Sequence, residues 1–354
     1  MRVLFNLLDA HVGGGQEVAL GVAQALAEHG HSIGVVTPAP GAATERFEAL
    51  GATTHTSSLV SLRRPGVVGG ARLARAYDVV YSHTSVPGEI LAGAAAALAR
   101  RPHVVHRHVY PHFSPRARIR AAQRSLYRTI LGRARIIAVA EHIADHLVAL
   151  GTPRDHIEVI TNGVKIPEHP APARADGGPL RIGLLGRLDP QKGGDVFVES
   201  AAGVGDAAEL VLGVPSANGR YAVTLLAAAR AANVGVVMPA GPEFLRALDV
   251  VALPSRYEGH PLTLLEAMAL GKPVVASAIP GVREVIEPDA AGLLVPPGDA
   301  AALAAAFRAL ADDAGLRAEL GERAREVAVR RYAVEPIRER IVEFLEATVR
   351  RARS

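Results

Sequence analysis

Two glutamates, Glu258 and Glu266, stand eight positions apart in the stretch LPSRYEGHPLTLLEAMALGKPVVAS, residues 253–277. A carboxylate accepts hydrogen bonds at both oxygens, so it can grip a pair of adjacent hydroxyls. Between the two glutamates a helix is predicted over 261–270, with Pro261 at its first position, where a missing N–H costs nothing. Its free first-turn amides and the positive end of its macrodipole make an anion site. Phosphate in the middle and diols at both ends is the chemistry of a nucleotide sugar. The bare spacing also fits two surface glutamates flanking a structural helix.

Other residues extend the pattern. The loop GRLDPQKGG carries Arg187 and Lys192 on a glycine-bounded turn after a predicted strand. There the arginine fork and the lysine point charge would clamp a diphosphate; alone, they read equally as solvated loop charges. In the first half, Gly13-Gly14-Gly15 opens a helix predicted over 16–29. Such a turn allows close backbone approach to a phosphate, and it also suits a simple tight turn. His83 follows a strand ending at Ser82, and His106 and His108 follow one at 103–105. The chain has 14 histidines, so each alone fits a packing role. Histidines past two consecutive strands are a stronger signal.

The elements that must position these residues alternate along the chain. Apolar strand patterns at 3–8, 33–37, 78–82, 103–107, 135–139 and 157–160 are separated by helical ones. A proline-rich segment at 161–176 reads as a linker. The alternation restarts with strands at 180–185, 209–213, 235–238, 250–253, 273–277 and 292–295, and helices at 314–331 and 335–351 follow. Strands alternating with helices imply parallel sheets covered on both faces, with ligands at the carboxyl ends of the strands. The fold class expected is α/β, in two doubly wound domains facing a cleft.

The whole chain bounds the possibilities. Its 354 residues are too many for one comfortable core. Aromatics make up 4%, so the core must rest on aliphatic residues. Cysteine is absent, which excludes disulfides, thiolate metal sites and a cysteine nucleophile, and fits a cytoplasmic location. A formal charge of +4 falls short of a nucleic-acid footprint. The N-terminus lacks a signal-peptide pattern, and no apolar run reaches the ~18 residues of a spanning helix. A soluble protein is expected. The segment 114–135 carries seven arginines among apolar residues. It reads as an amphipathic helix with a solvated basic face, or as a contact for anionic lipid or an acidic acceptor.

Taken together, these residues resemble the retaining glycosyltransferases of family 4, which have the GT-B fold of two Rossmann-like domains. GRLDPQKGGDVFVESAA is similar to that family's glycine-arginine-leucine to lysine-glycine loop, and SRYEGHPLTLLEAMALGKPVVAS to its paired-glutamate motif. VAEHIADHLVALGTPRDHIEVITNGV resembles the run into its interdomain linker, and the glycines near residue 14 its first-domain loop. The resemblance implies an acceptor domain at 1–165, a donor domain at 166–332, and a final helix in 333–354 that crosses back. It implies that Arg187 and Lys192 hold the donor diphosphate, Glu266 the ribose hydroxyls and Glu258 hydroxyls of the transferred sugar. Gly14, Gly15, Gly259, Leu262 and Thr263 would line the donor site, with Met238 near the base. His108 matches the family's histidine near the reacting centre; His106 is the fallback, and His83 joins it as an acceptor-side candidate.

The implied activity is metal-independent transfer of a hexose, with retention, from a UDP- or GDP-sugar to a hydroxyl. No metal and no cofactor are implied beyond the nucleotide sugar as donor substrate. The acceptor would be a secondary metabolite or another small molecule, or a glycan or lipid precursor. No nucleic-acid partner is expected, and peripheral membrane contact and oligomeric state stay open. Two departures stand out. The segment 212–248 is short where the base normally packs, and His260 replaces a commoner aromatic or small residue after the first glutamate. The alternatives are a nucleotide-sugar epimerase of the same architecture, which should turn over donor without acceptor, and a non-catalytic nucleotide-sugar-binding partner. A sugar phosphorylase would need a lysine-bound pyridoxal motif, which the sequence does not offer.

Overall fold

Parallel strands buried on both faces need near-continuous β-branched and aliphatic runs, and the chain supplies them in two series. The computed structural model describes residues 1–7, 14–56, 67–111, 117–172, 178–241 and 243–354. Gly13 of the triple-glycine turn, residues 114–116 of the basic segment and 173–176 of the linker lie outside the described residues. Two compact units result, Met1–Thr161 with Glu335–Ser354, and Asn162–Val334.

In the first unit the strands are β1 (Arg2–Leu7), β2 (Ser32–Thr37), β3 (Thr53–Thr56), β4 (Val79–His83), β5 (His103–Arg107), β6 (Arg135–Ala138) and β7 (Ile157–Val159). Helices α1 (Gly14–Glu28), α2 (Ala42–Glu48), α3 (Val67–Ala74), α4 (Val86–Ala99), α5 (Ala117–Leu131) and α6 (Glu141–Ala149) connect them. Among the described residues the sheet runs β3-β2-β1-β4-β5-β6-β7, all parallel. From β1 the chain winds outward to β3 and then returns to β4 on the other side. The carboxyl ends of β1 and β4 therefore form the switch point where such sheets bind ligands.

The second unit repeats the plan. Its strands are β8 (Leu180–Leu185), β9 (Ala208–Gly213), β10 (Gly235–Val237), β11 (Val250–Leu253), β12 (Val274–Ser277) and β13 (Leu293–Val295). Helices α7 (Gly194–Val204), α8 (Gly219–Ala231), α9 (Glu243–Arg246), α10 (Leu262–Ala269), α11 (Pro280–Ile286), α12 (Ala300–Asp312) and α13 (Ala314–Tyr332) cover it. The order β10-β9-β8-β11-β12-β13 puts the switch point between β8 and β11. Helix α14 (Val334–Arg353) closes the chain. Its apolar stripe, including Ile337, Ile341, Phe344 and Leu345, is buried in the first unit's core with Val3, Phe5 and Val35. Fully burying such a side chain stabilises by about 1.5–3 kcal/mol.

The structure differs from the sequence expectation in places with physical causes. The polar edge strand β3 (TTHT) offers no hydrophobic alternation, and α3 (VVGGARLA) is short and carries two glycines, so neither shows in the pattern. Helix α11 escapes it too, because its opening PG reads as a turn. Pro261 is the N-cap of α10, with extended backbone, and Leu262 is the first helical residue. His83 and His106 lie within β4 and β5, because the strands run longer than their apolar runs. Among the described residues, no helix is long and apolar enough to cross a membrane.

Candidate active site

Two loops meet at the second unit's switch point. One follows β8 and carries Arg187 and Lys192; the other follows β11 and carries Glu258. A close backbone approach fixes their register. Gly193 adopts φ +66°, and a Cβ there would stand 2.0 Å from the Pro254 carbonyl oxygen. Only glycine meets both conditions. Polar ties complete the joint: the Arg256 backbone amide donates to the Gln191 carbonyl at 2.8 Å, and Gln191 Nε2 to the Tyr257 carbonyl at 3.0 Å. The Arg256 guanidinium grips both Asp195 oxygens at 2.8 and 2.6 Å and donates to the Pro190 carbonyl at 2.7 Å.

This joint brings Lys192 and Glu258 together. Lys192 Nζ donates to Glu258 Oε1 at 2.7 Å, and Ser255 Oγ donates to the same oxygen at 2.8 Å. The side chains are 18% and 7% exposed, so the pair is largely out of water. From behind, Gly281 lets α11 press on the loop: a Cβ there would meet the Gly259 and Glu258 carbonyl oxygens at 2.2 and 2.5 Å. Gly259 and His260 are buried in turn. The His260 carbonyl accepts from Asn162 Nδ2 at 2.8 Å, and its ring packs edge-on to Tyr332 at 5.2 Å. Beyond Pro261 no side chain caps α10, so its first amides, at Leu262 and Thr263, stay available to an anion. Glu266 follows in the second turn, half-buried.

The other donor-side candidates are less engaged. Arg187 pairs with Asp189 at 3.2 Å and is 68% exposed. Met238 follows the edge strand β10, 53% exposed, and lines an open groove with Glu209, Arg230 and Asn233. No other candidate donor residue lines that groove. Sequence reasoning passed over Ser255, Gln191, Arg256 and Gly281. Arg256 stands beside Glu258 in the motif, but its partners are remote in sequence; the glycines alone hinted at close backbone contact.

In the first unit the candidate histidines gather at the ends of β4 and β5. Leu7 of β1 pairs with His83 of β4, which puts the group at that unit's switch point. His83 Nδ1 lies 3.0 Å from His108 Nε2, and the His106 and His108 rings stack at 4.3 Å. Tyr81 Oη lies 2.7 Å from His106 Nδ1. A side chain at Gly15, near the start of α1, would come 3.6 Å from the His108 ring, while Gly14 is exposed. Burial, then the Arg107 charge, holds His108 down to about 4. Burial and neighbouring histidines push His83 and His106 well below the usual imidazole range. All three are neutral at pH 7. Between them in sequence, Arg107 is buried against Glu89 of α4, with Tyr127 Oη at 3.4 Å. Burial pushes the Glu89 carboxyl up to about 7 against the pull of Arg107. Arg118, Arg120, Arg124 and Arg128 on α5 are exposed, beside exposed Ile119 and Leu126.

Two parallel, doubly wound units of this topology define the GT-B class. Over 98% of the chain the fold matches the whole of Anabaena Alr3699/HepE, solved in complex with UDP-glucose, with TM-score 0.84 and 23% identity. Two family models match, "Glycosyltransferase Family 4" over residues 12–166 and "Glycosyl transferases group 1" over 165–327. A D-inositol 3-phosphate glycosyltransferase of Xylanimonas cellulosilytica is 30% identical over 309 residues, 78% of this chain and 73% of that protein. One from Acidothermus cellulolyticus is 33% identical over 284 residues, 69% of this chain and 61% of its own length. The chain belongs to glycosyltransferase family 4 and is a glycosyltransferase. These relatives are named for glycosyl transfer, which sets the epimerase reading aside.

Proposed function

We propose that the chain is a retaining hexosyltransferase moving a sugar from a UDP- or GDP-sugar to a hydroxyl of a small-molecule, glycan or lipid-precursor acceptor in the cytoplasm, with no metal or cofactor required for transfer. The observation that carries this is the Lys192–Glu258 pair, held 2.7 Å apart beside the uncapped start of α10. Lys192 and the α10 amides would take the donor diphosphate, with Arg187 swinging in from its exposed position. Glu266 would accept from the ribose diol. Glu258, whose second oxygen receives neither Lys192 nor Ser255, would accept from hydroxyls of the sugar. Each role suits the atom available.

Transfer breaks the bond between the anomeric carbon and the leaving phosphate and forms one to the acceptor oxygen on the same face. The acceptor proton passes to an oxygen of the leaving phosphate, and Lys192 offsets the charge left there. His108, neutral at pH 7, would donate or accept a hydrogen bond at the reacting centre rather than act as a cation. UDP-glucose in the Anabaena neighbour supports a UDP-sugar donor, and the relatives' names support a cyclitol phosphate as the first acceptor to try. The exposed arginines of α5 suit an anionic acceptor or an anionic lipid surface.

The test is turnover of a panel of UDP- and GDP-sugars with D-inositol 3-phosphate and lipid-linked acceptors in a chelator-containing buffer. Product formation, with the donor's anomeric configuration kept in the proton NMR coupling, is expected. An inverted product, or donor consumption that ignores the acceptor, would overturn the reading.

A further inference from the structure

We infer that His83, His106 and His108 form a binding site for one divalent transition-metal ion of the zinc class. One ring nitrogen from each lies within 4.8 Å of the others. His83 Nδ1 and His108 Nε2 are 3.0 Å apart, close to the roughly 3.3 Å that two nitrogens span on a tetrahedral ion with bonds of about 2.0–2.1 Å. Three imidazoles plus an open fourth position is an arrangement zinc favours. With no carboxylate or thiolate in the cluster, the donor set selects zinc, cobalt or nickel over magnesium and calcium.

Independent features of the cluster point the same way. His106 Nε2 is buried with no hydrogen-bond partner among the described residues. A buried nitrogen left without a partner is costly, so it suits a metal ion. His106 also has the outer support that metal-bound histidines use: with a metal on Nε2, Nδ1–H donates to Tyr81 Oη, 2.7 Å away, which fixes tautomer and ring orientation. Occupancy would engage the nitrogen that His108 offers in the transfer reading, so binding and transfer would compete. The binding itself does not depend on that reading.

The untagged full chain, stripped with chelator, is titrated with cobalt(II) and then with zinc, with magnesium as the comparison. One cobalt per chain is expected, with the intense visible bands of a four-coordinate ion, bleached by one equivalent of zinc and untouched by magnesium. His83→Ala and His108→Gln should each weaken binding about 100-fold or more, and Tyr81→Phe by about 10–100-fold. His108 is only half-buried, so its variant carries the test if others fail to fold. No cobalt band, or an affinity in folded His108→Gln equal to that of the natural chain, would overturn the inference and assign any binding to surface histidines.

Discussion

Removing Lys192 should destabilise the second unit more than its exposure suggests, because it strands a carboxylate. Glu258 is 7% exposed and, among the described residues, keeps only the Ser255 hydroxyl when the ammonium is gone. Breaking a fully buried pair from one side costs about 3–5 kcal/mol. Lys192 retains 18% exposure, so water can reach the site, and about 3 kcal/mol is expected for Lys192→Ala. Glu258→Gln keeps an acceptor for both partners and should cost about 1 kcal/mol, the worth of an ordinary hydrogen bond. Lys192→Met with Glu258→Gln removes the charge and its orphan together, so the double variant should be about 2 kcal/mol better than the sum of its singles. With two compact units a global curve would mix transitions. Native-state hydrogen exchange in low denaturant, read on the β8 and β11 amides, isolates the second unit. A coupling below about 0.5 kcal/mol would refute the argument, since it would mean the two charges are not held together out of water.

Gly281→Ala adds a methyl against the Glu258 and Gly259 carbonyls, and should cost about 1–3 kcal/mol while weakening donor binding; unchanged melting and donor affinity would contradict the contact. Acid should unfold the first unit well above the carboxylate range. Burial lowers His83, His106, His108 and His103, the last two to about 4 and about 3. Depressed folded-state values mean the unfolded chain binds more protons, so their stabilisation is complete above pH 6.5 and is lost as pH falls from there toward about 4 and below. Glu89, raised to about 7, works in the opposite sense over its upper range. With four groups against one, the slope reaches at most about 4 kcal/mol per pH unit. A first-unit stability flat between pH 7 and 5, by hydrogen exchange on β4 and β5, would contradict it.

Much of this was legible in the residues because parallel strands advertise themselves. β8 and β11 are short apolar runs bounded by turn residues, and sequence and structure agree on their bounds. β3 was not legible, because an edge strand of threonines and histidine pairs by backbone alone. Residue types and spacing picked out Lys192 and Glu258 separately, as a diphosphate clamp and a diol acceptor. Their ion pair depends on Gly193 lying under Pro254, a contact between residues far apart in the chain that no local pattern encodes. Arg256 and Asp195 look like surface charges in the sequence and become the tie between two loops. The histidines were legible only as residues near strand ends. That three of them share one buried cluster follows from the register of β1, β4 and β5, which sequence reading supplies only as topology.

The central claim is that the loops after β8 and β11, with the start of α10, bind a nucleotide sugar by its diphosphate and its diols. Calorimetric titration with UDP-glucose and GDP-mannose in chelator, on the natural chain and on Glu266→Ala and Lys192→Ala, tests it most directly. One site per chain is expected for one of the two donors, with affinity falling at least about 10-fold in each folded variant, equivalent to about 1.4 kcal/mol. Undiminished donor affinity in both variants would contradict the account.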